Sequence, residues 1–223
     1  MKSVTIYYNI LIFQFCLFGF IFAGHVTVKI LEQDIDHVLL EYLITDYELS
    51  EVNIKNEIYH KIDLYDEPNF LSKHSPELPH INRSFIIPGI SSMNVSIISS
   101  EYTQIHDINV LPSKGNPKRN IDINTIPYVK GSVYNVNDNF PGNLYEVHDP
   151  YILRDYRGQV LQINPFQYNP VSRTLGVYTR IVVRVDFDGQ NYELIIICVV
   201  MISSPKLLFF LGRFNFHIPD LFW

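Results

Sequence analysis

The chain has few of the residues that mark several large classes of protein. Alanine is rare, which disfavours long helices. There are only two cysteines, and one lies in the apolar N-terminal stretch, so loss of that stretch leaves Cys198 and no internal disulfide. Charged residues make up 18% of the chain, with a formal net charge of −6. This acidic balance argues against nucleic-acid binding, which requires a basic face.

Arrangements typical of catalytic or metal sites are also missing from the sequence. No two histidines have the i, i+4 spacing of a zinc helix, and no serine lies in a nucleophile elbow. Cys198 lies in an apolar run that favours a buried, inert thiol. His74 and His80 fit a proline-containing loop better than a metal site, and Asp186 with Asp188 fits a hairpin turn better than a calcium loop. We therefore expect no enzyme activity, no metal and no cofactor.

Strand-forming residues are abundant, with 15 tyrosines and 15 phenylalanines. The clearest pattern runs from Leu175 to Phe187, where apolar residues alternate with polar ones, and the Asp188-Gly189 turn predicts a hairpin to a strand at 193–202. Many short strands without alternating helices predict an all-β fold, either an antiparallel β-sandwich or a barrel. The other predicted strands are 25–30, 37–44, 54–64, 84–87, 93–105, 150–153 and 159–165.

The two ends of the chain differ from its middle. Residues 1–23 have a positive Lys2, an apolar stretch and Ala23 before a cleavage point, which predicts a secretory signal peptide. A membrane anchor is the alternative, but the apolar core is shorter than a bilayer span. We expect export across the inner membrane to the periplasm, cell surface or outside, with only transient membrane contact. Residues 24–190 form the predicted domain, and 191–223 are an apolar tail that fits no clear structure and suggests truncated or aberrant sequence.

One basic loop stands out in this acidic chain. Residues 112–120 read PSKGNPKRN and hold Lys114, Lys118 and Arg119. Prolines and a glycine exclude a central strand or helix here and limit the conformers of the loop. A stiffened loop loses less entropy on docking, and an arginine can bind a carboxylate through two parallel hydrogen bonds. A solvated basic turn is the simpler alternative.

Four landmarks in order give the chain a family resemblance. They are ELPHINRSFIIP (77–88), PSKGNPKRNID (112–122) followed by IPYVKGSVYN, FPGNL (140–144), and PYILRDYRGQ with PFQYNPVSRTLGVYTRIVVRV (150–185). Together they resemble the N-terminal propeptide of gingipain-type cysteine peptidases, secreted by bacteria of the Bacteroidetes group, over residues 25–190.

The resemblance implies a sandwich of jelly-roll character that assists folding of a peptidase and keeps it inactive until the propeptide is cut away. It also implies a partner, the cognate gingipain-like cysteine peptidase domain. In arginine-specific members, an arginine just after the PSKG motif enters the primary specificity pocket. The matching residue is Arg119, with Lys118 as the second candidate, while the catalytic Cys–His pair of the family belongs to a domain not found in this sequence.

Two other functions remain open from the sequence. The many tyrosines allow a secreted sandwich that binds carbohydrate or mediates adhesion, since sugars stack on exposed rings, although most of these tyrosines lie at strand spacing and are expected to pack. The apolar tail at 194–211 allows a membrane-held protein. Pro205 and Lys206 disfavour this alternative, because they lie within the possible span, where a charge is costly.

Overall fold

The computed structural model describes residues 26–34, 36–87, 91–153 and 156–188, which form eleven strands and two short 3-10 helices. The predicted signal peptide, the 193–202 strand, Cys198 and the apolar tail lie outside these residues. The strands are β1 Val26–Gln33, β2 His37–Ile44, β3 Glu48–Ile54, β4 Glu57–Asp63, β5 Ile81–Ile87, β6 Ser92–Ile105, β7 Tyr145–Val147, β8 Tyr151–Leu153, β9 Tyr156–Ile163, β10 Phe166–Asn169 and β11 Thr174–Asp188, and the 3-10 helices are Ile123–Thr125 and Ser132–Asn135.

A five-stranded antiparallel sheet is built around β11. The long strand β6 pairs along one edge of β11, while β2 and β10 share its other edge, and β1 pairs with the far side of β2. Val183, near the middle of β11, lies opposite Leu40 of β2 and Ile97 of β6. This register places the alternating apolar residues of β11 on one face, as strand geometry requires.

A second, four-stranded antiparallel sheet is built around β9. Strand β5 pairs along one edge of β9, and the short strands β7 and β8 pair along the other. Strands β3 and β4 form a separate hairpin whose turn residues, Lys55 and Asn56, both have positive φ. Such a pair of left-handed residues matches the two-residue turn that suits the twist of hairpin strands.

The core lies between the two larger sheets. The five-stranded sheet contributes Leu40, Tyr42 and Val183, and the four-stranded sheet contributes Phe85 and Leu161. These five side chains are at most 1% exposed and belong to one continuous cluster. A single apolar core shared by two packed sheets is the arrangement of a β-sandwich.

The predicted all-β antiparallel sandwich is confirmed, and the structure corrects several predicted strands. The segment 54–64 is not one strand, because the turn at Lys55 and Asn56 divides it and an unpredicted β3 precedes that turn. Strands β7 and β10 were also not predicted. The apolar side chain of Ile30 is 48% exposed, since β1 is an edge strand with an irregular register beyond this residue.

Within the described ranges, no helix is long and apolar enough to cross a membrane.

Candidate functional site

The basic loop extends from the sandwich between two points held by a single residue, His74. The backbone N–H of His74 donates to the carbonyl of Ser113 (2.9 Å), and its carbonyl accepts from the N–H of Gly131 (2.8 Å). His74 has a φ of 68°, a left-handed conformation that turns its two backbone groups to these partners. The two ends of the segment 114–130 are therefore fixed to the same place on the scaffold.

The start of the loop is buried and hydrogen-bonded. Ser113 is 2% exposed, its N–H donates to the carbonyl of Ser75 (2.8 Å), and its hydroxyl accepts from the N–H of Gly115 (3.1 Å). Gly115 has a φ of 79°, and a Cβ added there would lie 2.9 Å from Cβ of Lys73. The glycine of the PSKG motif is needed for both reasons, since other residues rarely adopt this backbone and have no room here.

The tip of the loop is a hydrogen-bonded turn. The N–H of Ile121 donates to the carbonyl of Lys118 (3.0 Å), with Arg119 and Asn120 at the two central positions. Lys118 and Arg119 are exposed, and among the described residues neither side chain has a hydrogen-bond or ion-pair partner. The structure thus presents two adjacent cations to solvent at a turn in a loop whose ends are fixed.

The third predicted site residue, Lys114, has a different environment. Its side chain is half-buried, and Nζ donates to the carbonyl of Ile123 (2.9 Å) while lying 4.1 Å from the centre of the Tyr128 ring. A lysine above an aromatic face is attracted by the negative potential of the ring. The structure brings Lys118 and Arg119 together at the tip and places Lys114 inside the loop.

Three exposed aliphatic side chains lie after the basic loop, within the segment 114–130 that is fixed at both ends, and they were not singled out from the sequence. Ile121 is 46% exposed, Ile123 is 50% exposed and Val129 is 43% exposed. Isolated apolar residues on a surface are ordinary, but Ile121 and Ile123 lie within four residues of Arg119 in the chain, next to two exposed cations, whereas Val129 lies near the fixed end at Gly131. Sequence alternation cannot identify them, because the loop has no regular period that separates buried from exposed positions.

Among the residues that the structure describes, the other groups considered for chemistry do not form a competing site. His80 is 9% exposed and packs its ring against Phe70 (4.6 Å between centres), so it is a core residue apart from His74. A surface cleft of about 690 Å³ lies beside the end of the loop, with Lys130 and Arg173 among its lining residues, but the loop tip does not line it. Asp34, Asp36 and His37 lie close enough to share an ion, but these acidic groups are exposed and Nδ1 of His37 already bonds Asp36 (2.8 Å).

Within the described part of the chain, the exposed tyrosines do not form the single row that a carbohydrate-binding sheet would present. Tyr102 lies on β6 of the five-stranded sheet and stacks on Tyr178 of β11 (5.0 Å). Tyr151 and Tyr156 lie on β8 and β9 of the other sheet. Other tyrosines, such as Tyr42 and Tyr168, are buried in the core, as their strand spacing predicts.

Curated proteins similar to this chain are peptidases of one bacterial species. Gingipain R1 of Porphyromonas gingivalis is 33% identical over 198 residues, covering 86% of this chain and 20% of that protein. Gingipain R2 of strain ATCC 33277 of the same species is 34% identical over 167 residues, covering 74% of this chain and 23% of that protein. The chain therefore spans about a fifth of the length of these relatives.

Solved structures and a family model agree with this similarity. The complex of Porphyromonas gingivalis RgpB pro- and mature domains matches with a TM-score of 0.69 and 34% identity, covering 74% of this chain and 86% of that chain. A structure concerning zymogenic latency of gingipain K from Porphyromonas gingivalis matches with a TM-score of 0.65 and 19% identity, covering 76% and 97%, which shows a shared fold. The model of the Propeptide_C25 family matches residues 22–194. The chain therefore belongs to the Propeptide_C25 family, the propeptides of gingipain-type cysteine peptidases.

Proposed function

We propose that this propeptide keeps a gingipain-like cysteine peptidase inactive by placing Arg119 in its primary specificity pocket, and that it assists folding of that peptidase. The proposal rests on the exposure of the Arg119 side chain and on its lack of a binding partner among the described residues. This side chain lies at a turn in a loop whose ends are fixed. A guanidinium in this state is free to bind a carboxylate of another protein through two hydrogen bonds.

The construction of the loop supports inhibition at low entropic penalty. His74 holds both ends, and Gly115 fixes the path at the start, so the loop has little conformational freedom to lose. A ligand already held in its bound conformation binds more tightly than a flexible one with the same contacts. This favours the specific ligand over the solvated basic turn that the sequence alone leaves open.

The aliphatic residues beside the tip support contact with a protein surface. Ile121 and Ile123 are 46% and 50% exposed and would be covered when the loop enters a cleft. Burial of such side chains adds apolar contact around a charged anchor, the usual arrangement of a central anchor with surrounding contacts. A charged tip with apolar flanks fits a peptidase cleft better than a nucleic-acid backbone.

The RgpB complex offers a precedent for the partner. In that complex the pro-domain is bound to its mature domain, and the pro-domain shares 34% identity and the fold with this chain. We infer that the partner here is the cognate peptidase domain and that export depends on residues 1–23. Lys118 is the alternative anchor if the cognate peptidase prefers lysine.

The test is a titration of the purified chain against mature Gingipain R1 of Porphyromonas gingivalis, measured with a fluorogenic peptide that carries arginine at the cleavage position. We expect inhibition by the unaltered chain and a loss of affinity of at least about thirtyfold in Arg119→Ala, since truncating one partner of a buried charge pair costs about 2–5 kcal/mol. Lys118→Ala is the matched control, an adjacent exposed cation, and we expect an effect of less than about fivefold.

Three outcomes would decide the proposal. No inhibition by the unaltered chain would contradict a latency role. Equal inhibition by Arg119→Ala would remove this residue from the mechanism. A large effect of Lys118→Ala with none from Arg119→Ala would move the anchor by one residue. The folding role is tested by refolding the denatured peptidase with and without the chain, where a higher yield of active enzyme after removal of the chain is expected.

A further inference from the structure

The chain reverses direction at Arg119 instead of continuing as a strand. The bond from the N–H of Ile121 to the carbonyl of Lys118 (3.0 Å) closes a four-residue turn. Neither Arg119 nor Asn120 is among the residues with positive φ, so the turn has the geometry of type I. The peptide bond between Arg119 and Asn120 therefore lies at the centre of a closed turn.

The segment after the turn is also hydrogen-bonded to itself. The carboxylate of Asp122 accepts from the N–H of Asn124 (2.9 Å), and its carbonyl accepts from the N–H (3.0 Å) and hydroxyl (2.7 Å) of Thr125. These bonds form the short 3-10 helix Ile123–Thr125. A peptide bound as an extended strand uses its main-chain groups to pair with the host, and here several of those groups are already occupied.

The side chain of Lys114 connects the residues just after the turn to the buried start of the loop. It directly follows Ser113, which is buried and fixed, and its Nζ reaches across the loop to the carbonyl of Ile123 (2.9 Å). The ring of Tyr128 lies beneath the same ammonium group, 4.1 Å from Nζ to its centre. The side chain of Lys114 therefore fixes the distance between the start of the loop and the residues just after the turn.

We propose that Lys114 is a positioning residue that holds the Arg119–Asn120 bond in a closed turn, so that the loop occupies an arginine-specific site as a slowly cleaved ligand. This inference rests on the proposed function. It divides the three cations by role: Arg119 is the anchor, Lys118 is exposed beside it, and Lys114 keeps the anchor from being used as a substrate.

The chemistry of cleavage explains why the turn matters. The thiolate of the peptidase must form a bond with the carbonyl carbon of Arg119, and the C–N bond to Asn120 then breaks as the leaving nitrogen takes a proton. Water subsequently hydrolyses the thioester and releases the new carboxylate of Arg119. Attack requires close approach with aligned orbitals, and small displacements from that geometry slow the reaction strongly. A bond inside a closed turn reaches this geometry only after the turn opens.

The test compares Lys114→Met with the unaltered chain during incubation with mature Gingipain R1. Methionine keeps an unbranched side chain while it removes the charge and the donors. We expect initial inhibition within about threefold of the unaltered chain, together with cleavage between residues 119 and 120 that is about tenfold faster by mass spectrometry, so that inhibition decays with time. Lys114→Arg keeps a donor for the carbonyl of Ile123 and should restore slow cleavage. Lys29→Met, at an exposed lysine on β1 outside the loop, is the control and should leave the cleavage rate unchanged.

A second measurement tests the turn without a gingipain. Trypsin cuts after lysine and arginine in segments that can extend, so limited digestion of the free chain reports opening of the loop. We expect cuts after residues 118 and 119 to be about tenfold faster in Lys114→Met. Asp122→Ala, which removes the carboxylate that accepts from Asn124, should also accelerate them, and Lys114→Gln, which removes the same charge, tests Lys114 if Lys114→Met does not fold.

The two assays separate failure of this inference from failure of the proposed function. Equal trypsin rates in the unaltered chain and in folded Lys114→Met would overturn the positioning role whatever the loop binds. Faster trypsin cutting with no gingipain inhibition by any variant would mean that Lys114 does hold the turn closed. It would nevertheless refute the proposed function, and with it the role of Lys114 in inhibition. Faster trypsin cutting without faster cleavage by Gingipain R1 would also overturn the inference.

Discussion

Two arginines in this propeptide have opposite environments. Arg83 on β5 is 4% exposed, and it binds Glu67 through two nitrogen–oxygen contacts of 2.6 and 3.3 Å and the carbonyl of Asn82 at 2.7 Å. The side chain of Glu67 is only 5% exposed. Arg119 is exposed at the tip of a loop and has no such partner among the described residues. The same side chain therefore serves the fold in one region and is left available in the other.

The two arginines differ in what compensates their charge, a buried carboxylate for Arg83 and water for Arg119. A buried charge is tolerated only with a partner and satisfied hydrogen bonds, so the Arg83–Glu67 pair is closed to other molecules and sensitive to the loss of either member. An exposed charge is solvated by water, and its removal changes little in the isolated protein. Its largest effect appears only when a partner removes it from water. Substitutions at buried, paired groups should therefore change the free energy of unfolding more than substitutions at exposed ones.

Removal of the partner of Arg83 should have the largest effect. Glu67→Ala leaves the buried guanidinium of Arg83 without its carboxylate, and we expect the free energy of unfolding to fall by about 3–5 kcal/mol in urea denaturation. The double variant Glu67→Leu with Arg83→Met replaces both charges by apolar side chains and should recover most of that loss. A decrease of less than about 1 kcal/mol in Glu67→Ala would show that the pair is not an important part of the fold.

His80 should make the sandwich sensitive to acid. Burial, together with a smaller contribution from the nearby His148, lowers the pKa of His80 to about 4. The unfolded chain has an ordinary histidine pKa of about 6.5, so between these values the unfolded state binds more protons and stability falls as the pH falls. We expect His80→Phe to remove on the order of 2 kcal/mol of the loss between pH 7 and pH 4, measured by urea denaturation at each pH. Parallel pH profiles for the two proteins would contradict this assignment.

Gly115, at the start of the loop, should not tolerate a larger side chain. Gly115→Ala puts a Cβ 2.9 Å from Cβ of Lys73 on a backbone with φ of 79°, and we expect a loss of about 1–2 kcal/mol. Gly176→Ala is the matched control, because its Cβ would make only ordinary contact with Gln167 at 3.5 Å. That change should alter stability by less than about 0.5 kcal/mol. Equal effects of the two substitutions would show that the start of the loop is not fixed as the structure indicates.

Sequence patterns predicted the parts of the fold that depend on local periodicity. Strand β2 was predicted with its observed bounds, and β11 was predicted to within one residue at each end, because both strands alternate regularly and have one buried face. The turn at Lys55 and Asn56 was missed, since two non-glycine residues with positive φ give a weak sequence signal. The contact of Glu67 with Arg83 joins residues sixteen apart and has no local pattern at all.

The candidate site was predictable only in part for the same reason. Prolines and a glycine identified the basic loop, and its lysines and arginine were read from the sequence as one group. The sequence cannot separate Lys114 from Lys118, because what distinguishes them is a carbonyl of Ile123 that accepts from one and not from the other. The role of His74 was likewise hidden, since it acts through its backbone and its side chain gives no signal.

The smallest expected change in stability gives the sharpest test of the comparison. Arg119→Ala should alter the free energy of unfolding by less than about 0.5 kcal/mol, because it removes an exposed side chain without a partner in the described structure. Arg83→Ala, the same substitution at the buried position, should lower it by several times as much, and thermal unfolding of the two variants side by side makes the measurement direct. A loss above about 1 kcal/mol in Arg119→Ala would mean that the guanidinium already stabilises its own chain. In that case a peptidase would have to displace it from those contacts before binding, and the free anchor that we propose for inhibition would not exist.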